Sequence, residues 1–333
     1  MITTDTKQDF LKISASYSDV FSTFLKVCIM LFMVIEYANA SQKKILPPPK
    51  KISDHVYAWI GPLEGPSKEN NGYRMNMVFV VGENAVAVID TGYTPMMARE
   101  MVEHINKITS LPIKYAVNAN SQPHRYMGND VFREAGAQII AHKESAKRME
   151  RMGSNFVTAI ENILQPPKGS IKIPKQPDLL IEDRHTLDLG GTAVELIHVG
   201  PAHTSAQLIA KIDKDKIIYA SDLLYAERLL AVLQDSKVGN WIKAYDDLVQ
   251  YQNFSFIPGH GKPGPLSNFD FPTRSYLALL FDHMTKMVEQ GVDVQDAINK
   301  LDQSKYSKLV NYEELAGRNA SWAYLEREAA SFE

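Results

Sequence analysis

A single cysteine, Cys28, limits the covalent chemistry open to this chain. No disulfide can form within it, and no thiolate-rich zinc cluster can be built. A metal site would have to draw on His, Asp and Glu. Long basic runs are absent, and Lys and Arg (36) fall short of Asp and Glu (39). The sequence therefore lacks the concentrated positive face that nucleic-acid binding needs, and no nucleic-acid partner is expected. There is no G-x-S-x-G elbow, no P-loop and no G-x-G-x-x-G, which disfavours an α/β-hydrolase, a P-loop nucleotide site and a dinucleotide fold. No internal repeat is present.

One apolar run stands out, Val27–Ile35, preceded by Lys26 and followed by Ala38-Asn39-Ala40 and Ser41. A short hydrophobic core ahead of a small-x-small site resembles a secretory signal peptide over residues 1–40, so export, with a periplasmic destination, is expected. After cleavage there would be no stable membrane insertion. An uncleaved anchor is the alternative, because the preceding residues balance Lys7 and Lys12 with Asp5 and Asp9. Residues 41–54 contain the Pro- and Lys-rich stretch KKILPPPKK and read as an extended linker. Residues 55–333 form the folded domain.

Within that domain, Val56–Ile60, Met77–Val81 and Ala85–Ile89 are short, β-branched or aromatic runs bounded by Gly, Asn or Pro. The last two enclose Gly-Glu-Asn, which predicts a hairpin. Met97, Met101, Ile105 and Ile108 recur at helical spacing over Pro95–Ile108 and mark a core-facing stripe. Further strands are expected at Lys114–Asn118, Gln138–Ala141, Thr192–His198, Gln207–Ile212, Lys216–Ala220 and Phe254–Ile257. Helices are expected at Met127–Glu134, from Lys143 to Ile163, and near Trp241–Tyr251, with a helical extension after Thr273. Strands and helices repeated in two halves predict a layered α/β sandwich. A doubly wound sheet fits less well, because a hairpin start is antiparallel and parallel strands need crossovers.

Five segments carry the candidate chemistry, each at or just after the C-terminal end of an expected strand: VIDTG (88–92), VNANSQPHRYMGN (117–129), GPAHTS (200–205), ASDLL (220–224) and PGHGKPG (258–264). Loops at one edge of such a fold commonly build ligand sites. This order and spacing resemble the metallo-β-lactamase fold superfamily, over about Val56 to Gly264. The resemblance implies a four-layer αβ/βα sandwich. It makes Asp90 a structural organiser and His203, Asp222 and His260 metal-site residues.

The second segment departs from the family's T-H-x-H-x-D-H. Asn120 and Gln122 stand where the first metal position has histidines, His124 stands at the Asp, and Arg125 at the final His. NSQPHRYMGN, with the C-terminal GRNASWAYLEREAASF, resembles a branch of exported members labelled quinoprotein-relay zinc hydrolases. Neutral amides are poor zinc ligands, so the first position should be very weak. His124, Asp222 and His260 remain as a two-His, one-carboxylate set suited to one divalent metal, zinc by preference, with iron or no metal as alternatives. The implied function is metal-dependent hydrolysis of a small-molecule ester, amide or related substrate. His203 would act as base or extra ligand, and Arg125 would either pair with Asp222 or stabilise developing negative charge. Two other readings stand beside it: a non-catalytic small-ligand or partner-binding protein, with Asp222 and Arg125 in a dry structural network, and a mononuclear iron oxidoreductase. His55, His104, His142, His185, His198 and His283 lie outside the five segments, with surface or packing roles expected.

Overall fold

The computed structural model describes residues 44–332. The apolar run at Val27–Ile35, Ala38-Asn39-Ala40 and residues 41–43 lie outside the described residues. Residues 45–332 belong to one compact unit.

Two sheets face each other. The first has seven strands in sequential order: β1 (Lys50–Lys51), β2 (Val56–Trp59), β3 (Met77–Val81), β4 (Val86–Ile89), β5 (Ile113–Asn118), β6 (Gln138–His142) and β7 (Leu179–Ile181). β1 to β4 pair antiparallel, and β4 to β7 pair parallel through helical crossovers. The second sheet has five strands in the order β12-β11-β10-β9-β8. These are β8 (Arg184–Asp188), β9 (Ala193–His198), β10 (Leu208–Ile212), β11 (Ile217–Tyr225) and β12 (Ser255–His260). Only β11 and β12 pair parallel there.

The strand residues alternate between two cores. In β3, Val78 and Val80 point into the space between the sheets, beside Val117, Leu196, Leu208 and Ile257. Met77 and Phe79 point the other way, against Met97, Met101 and Ile105 of α1 (Pro95–Ile108). Burial on both faces explains why MVFVV is apolar throughout rather than alternating. On the far side of the second sheet, Ile218 and Phe256 pack under α5 (Val238–Asp246) and α6 (Tyr276–Glu289). The layers therefore run helix, sheet, sheet, helix, as expected for the sandwich.

Remaining helices are α2 (Pro123–Tyr126), α3 (Asn129–Glu134), α4 (Lys143–Leu164), α7 (Val294–Asn299) and α8 (Tyr312–Ala330). The hairpin across Gly82 forms, and the Pro95–Ile108 helix has the predicted limits, capped by the Thr94 side chain on Met97 N. The stretch read as a linker is extended but not free. Ile45 and Leu46 give backbone N–H bonds to Glu100, Leu46 is buried, and Lys50–Lys51 adds a strand to the sheet edge. β7 and β8 were not anticipated. RHTLD in β8 is charged and buries only Leu187, as an edge strand with a solvated face can. Among the described residues, no helix is long and apolar enough to cross a membrane.

Candidate metal centre

All five segments converge at one edge of the two sheets. Asp90 follows β4, residues 119–125 follow β5, His203 lies between β9 and β10, Asp222 lies within β11, and His260 ends β12. Two non-glycine residues there take left-handed backbone angles, Asp90 at φ 68° and Ser221 at φ 49°. Such angles persist only where surrounding contacts hold them. Ser221 sits at a register shift in the β11–β12 pairing, and that irregularity turns the following Asp222 into the site. Gly259 leaves room for it. A Cβ there would come within 2.5 Å of Asp222 Oδ1 and 2.7 Å of Arg125 Nη2.

Arg125 is wholly enclosed. Its Nε and Nη2 donate to the two oxygens of Asp222 at 2.9 and 2.5 Å. Its Nη1 reaches Asp90 Oδ2 at 3.0 Å, Asn76 O at 2.8 Å and Tyr219 Oη at 2.8 Å. Tyr219 Oη also lies 2.5 Å from Asp90 Oδ2. One guanidinium thus bridges two buried carboxylates. Of the two roles weighed for Arg125, pairing with Asp222 is the one the geometry supplies; it does not line the cavity. Burial disfavours charge on Asp222, but the Arg125 guanidinium outweighs it and the carboxyl is held well below the usual range. For Asp90, burial dominates and raises its pKa to about 6.

The Asn120 side chain is committed to its neighbours, while Gln122 lines the cavity. Asn120 Nδ2 donates to Asp222 Oδ2 at 2.9 Å and to Gln207 Oε1 at 3.1 Å, while its Oδ1 accepts from Gln122 N at 2.8 Å. Where the resemblance would put a first metal, the Asn120 amide and the Arg125 guanidinium bond to Asp222.

The second position differs. His124, Asp222 and His260 bring one donor atom each within 4.8 Å of one another. His260 Nδ1 lies 2.7 Å from Arg74 O. A carbonyl only accepts, so the proton is on Nδ1 and the Nε2 lone pair faces Asp222 Oδ1 at 3.2 Å. Two acceptors pointed at each other call for a cation or proton between them. His124 Nε2 is 3.3 Å from Asp222 Oδ2, yet out of line for a hydrogen bond, and neither of its ring nitrogens has a hydrogen-bond partner. Burial and Arg125 hold His124 neutral, well below the usual histidine range. Burial takes His260 down to about 3, with Arg228 adding to the effect. His203 stands nearby. Its Nδ1 is 3.0 Å from Ala231 O, which by the same logic leaves Nε2 as a lone pair, and burial lowers its pKa to about 4. Carbonyl-oriented, neutral imidazoles are how metal-ligating histidines are usually held. The donor set fits one divalent ion.

His124, His203 and His260 line a cavity of 410 Å³, with Gln122 and Tyr225. That volume suits a small molecule. The outer wall comes from segments that sequence reasoning did not connect with the site: Arg74 before β3, Arg228 after β11, and Asn311, Glu314, Leu315 and Arg318 of the C-terminal extension. Two of the remaining histidines, His142 and His198, stack at 3.9 Å between ring centroids and stand apart from this set.

The model of the metallo-beta-lactamase superfamily matches residues 72–260. The chain belongs to that superfamily. It is 20% identical over 241 residues to metallo-beta-lactamase IND-1 of Chryseobacterium indologenes, covering 71% of this chain and 90% of that protein. A solved metallo-beta-lactamase from Pontibacter korlensis superposes with a TM-score of 0.56 at 19% identity, over 69% of this chain and 98% of the other. DIM-1 metallo-beta-lactamase gives 0.55 at 16% identity, over 70% and 98%. At these identities the solved structures show a shared fold. The matched family region ends at His260, and α6, α7 and α8 lie beyond it.

Proposed function

We propose that this superfamily member is a hydrolase dependent on a single divalent metal, held by His124, Asp222 and His260, with zinc the preferred ion. The observation that carries this is the pair of orphaned ring nitrogens on buried His124, beside the inward Nε2 lone pair of His260. A divalent ion in that place supplies Lewis acidity toward a carbonyl or phosphoryl oxygen and makes water more acidic. The protein's own residues do the rest. The Ala231 carbonyl fixes the His203 ring so that Nε2 can accept a proton from water or give one to a leaving group. Arg125 keeps Asp222 ionised and immobile. Tyr225, stacked on His260 at 5.1 Å between centroids, closes the inner wall against bulk water.

The test is turnover of a panel of small esters, amides and phosphoesters. Activity that chelation removes, zinc restores and His260→Ala lacks supports the proposal. Activity indifferent to chelation sinks it. A second reading, a non-catalytic small-ligand binder, draws on the saturation of both Asp222 oxygens by Arg125 and Asn120. Protein that takes up no zinc and no iron would favour it. Iron uptake with oxygen consumption would favour an oxidoreductase instead.

Export with removal of residues 1–40 belongs to the same proposal, supported by Val27–Ile35 and Ala38-Asn39-Ala40. Protein from the native host should begin at Ser41, and a full-length cytosolic product would refute it.

A further inference from the structure

The outer wall of the cavity carries an excess of positive side chains. Its lining includes three arginines, Arg74, Arg228 and Arg318, against one carboxylate, Glu314, an excess of two positive charges. Arg228 is only 3% exposed, and its Nε has no hydrogen-bond partner; the Nε of Arg74 is likewise buried and unpartnered. Arginine ion pairs among the described residues are made by Arg125, Arg133, Arg148, Arg184 and Arg274, and neither Arg74 nor Arg228 is among them. Arg228 Nη1 lies 3.5 Å from His260 Nδ1, a contact too long to satisfy it, since that nitrogen's proton goes to Arg74 O. Leaving buried guanidinium donors unmade costs free energy.

The backbone is built to keep them there. Arg228 follows Glu227, which has φ 64°, and its loop is bridged on both sides to Val310 by Leu229 N to Val310 O and Val310 N to Glu227 O. Glu227 is tied in turn to Lys262. On the other side, Asn76, two residues after Arg74, donates to Pro258 O and Gly261 O. The Arg228 guanidinium thus stands beside His260, and Arg74 lines the same cavity.

We propose that Arg74 and Arg228 form an oxyanion subsite for a dianionic group, of the phosphomonoester type, on the substrate of the cleft described above. It rests on reading that cleft as a substrate site. A planar guanidinium donates two parallel N–H bonds to phosphoryl oxygens, and two of them match a group with three oxygens and two charges. A lone carboxylate would leave one guanidinium unanswered.

The experiment is calorimetric titration of the full chain with inorganic phosphate, malonate and acetate, on protein as purified and again after chelation. Phosphate is expected to bind about tenfold or more tightly than acetate and malonate. Arg228→Gln and Arg74→Gln should each weaken phosphate about tenfold or more in both preparations, with partial retention in Arg228→Lys. In phosphate-free buffer, Arg228→Gln should melt no lower than wild type, because it removes an uncompensated buried cation. A merely structural arginine would lower the melting temperature when replaced. Acetate or malonate as tight as phosphate, unaltered phosphate binding in both glutamine variants, or a destabilised Arg228→Gln would each overturn the proposal. Because the chelated protein is titrated too, absence of hydrolytic turnover would defeat the enzyme reading without touching this result.

Discussion

Arg125 and Asp222 form a two-point ion pair in which neither side chain has any solvent exposure, and the same guanidinium holds Asp90 from its third nitrogen. Removing the cation would strand two carboxylates at the junction of the sheets. Breaking a buried pair typically costs about 3–5 kcal/mol. Arg125→Met is therefore expected to lower unfolding stability by that order. Arg125→Lys should recover only part of it, because an ammonium cannot span three partners in one plane. Urea unfolding of the purified variants measures this, and midpoints equal to wild type would show that the pair is not what holds the site.

Metal content follows from the same geometry. A second divalent ion close to the first would have to displace Arg125 from Asp222 and break the Asn120–Gln207 bond. Wild-type protein should hold at most one tightly bound ion per chain. His124→Ala should lose it, whereas Asn120→Ala and Gln122→Ala should lose much less. Replacing Asn120 and Gln122 together by His should restore second-ion binding only in part while Arg125 remains. Native mass spectrometry reads the stoichiometry directly; two ions on the wild type would contradict the assignment.

Much of this centre was legible because its parts lie in local patterns. Asp90, His124, His203, Asp222 and His260 lie in short segments at or just after the ends of expected strands, and the family resemblance singled them out. The Arg125 alternatives were separable only in three dimensions, since partner choice depends on Tyr219 and Asn76, which are remote in sequence. Arg74 and Arg228 carry no signal of their own. In YRMNM and YAERLL, a charge flanked by apolar residues reads as a solvated position. Strands β7 and β8 were missed for a related reason: LLIEDRHTLD interleaves charge with few apolar side chains, as short, partly exposed strands permit.

The stacked pair His142–His198 predicts acid sensitivity away from the metal centre. Burial, reinforced by His142, lowers His198 from 6.5 to about 4, and His142 is lowered as well. Asp183 opposes the shift on His198, and Glu182, Glu144 and Lys143 act on His142, the lysine alone lowering it. The unfolded chain therefore binds more protons between about pH 6.5 and 4. The contribution is complete above 6.5 and is lost as the pH falls through that window. Melting temperature should drop across it, and His198→Asn should flatten the slope. An unchanged slope in the variant would place the sensitivity elsewhere.

Gly259 offers a steric test of how rigid the Asp222 pocket is. Its added Cβ would meet Asp222 Oδ1 at 2.5 Å and Arg125 Nη2 at 2.7 Å, and both groups are pinned by the bonds between them. Overpacking of a well-filled interior costs about 1–3 kcal/mol. Gly259→Ala should therefore lower stability by about that much and weaken metal retention together. Wild-type stability in Gly259→Ala would mean that the pair can slide, and the single-ion argument would weaken with it.

The last prediction concerns Asn319, which is fully buried on α8 and outside the family's matched region. Its Nδ2 donates to Leu230 O at 2.7 Å, and its Oδ1 accepts from Val232 N at 2.8 Å. It grips the residues on either side of Ala231, whose carbonyl orients the His203 ring. The C-terminal helix thereby sets the direction of a side chain far away in sequence. Asn319→Ala would leave a buried carbonyl and a buried N–H unmade, a loss of about 1–3 kcal/mol for each unsatisfied group. Global stability alone would not distinguish this from any other core defect. The distinguishing readout is the His203 imidazole. Its Nδ1 proton should exchange with solvent faster in Asn319→Ala by NMR, while the His260 Nδ1 proton, held by Arg74 O, stays protected. Asn319→Asp should keep the acceptor for Val232 N, lose the donor to Leu230, and fall between the two. If both imidazole protons respond equally, the helix acts on the whole domain rather than on His203.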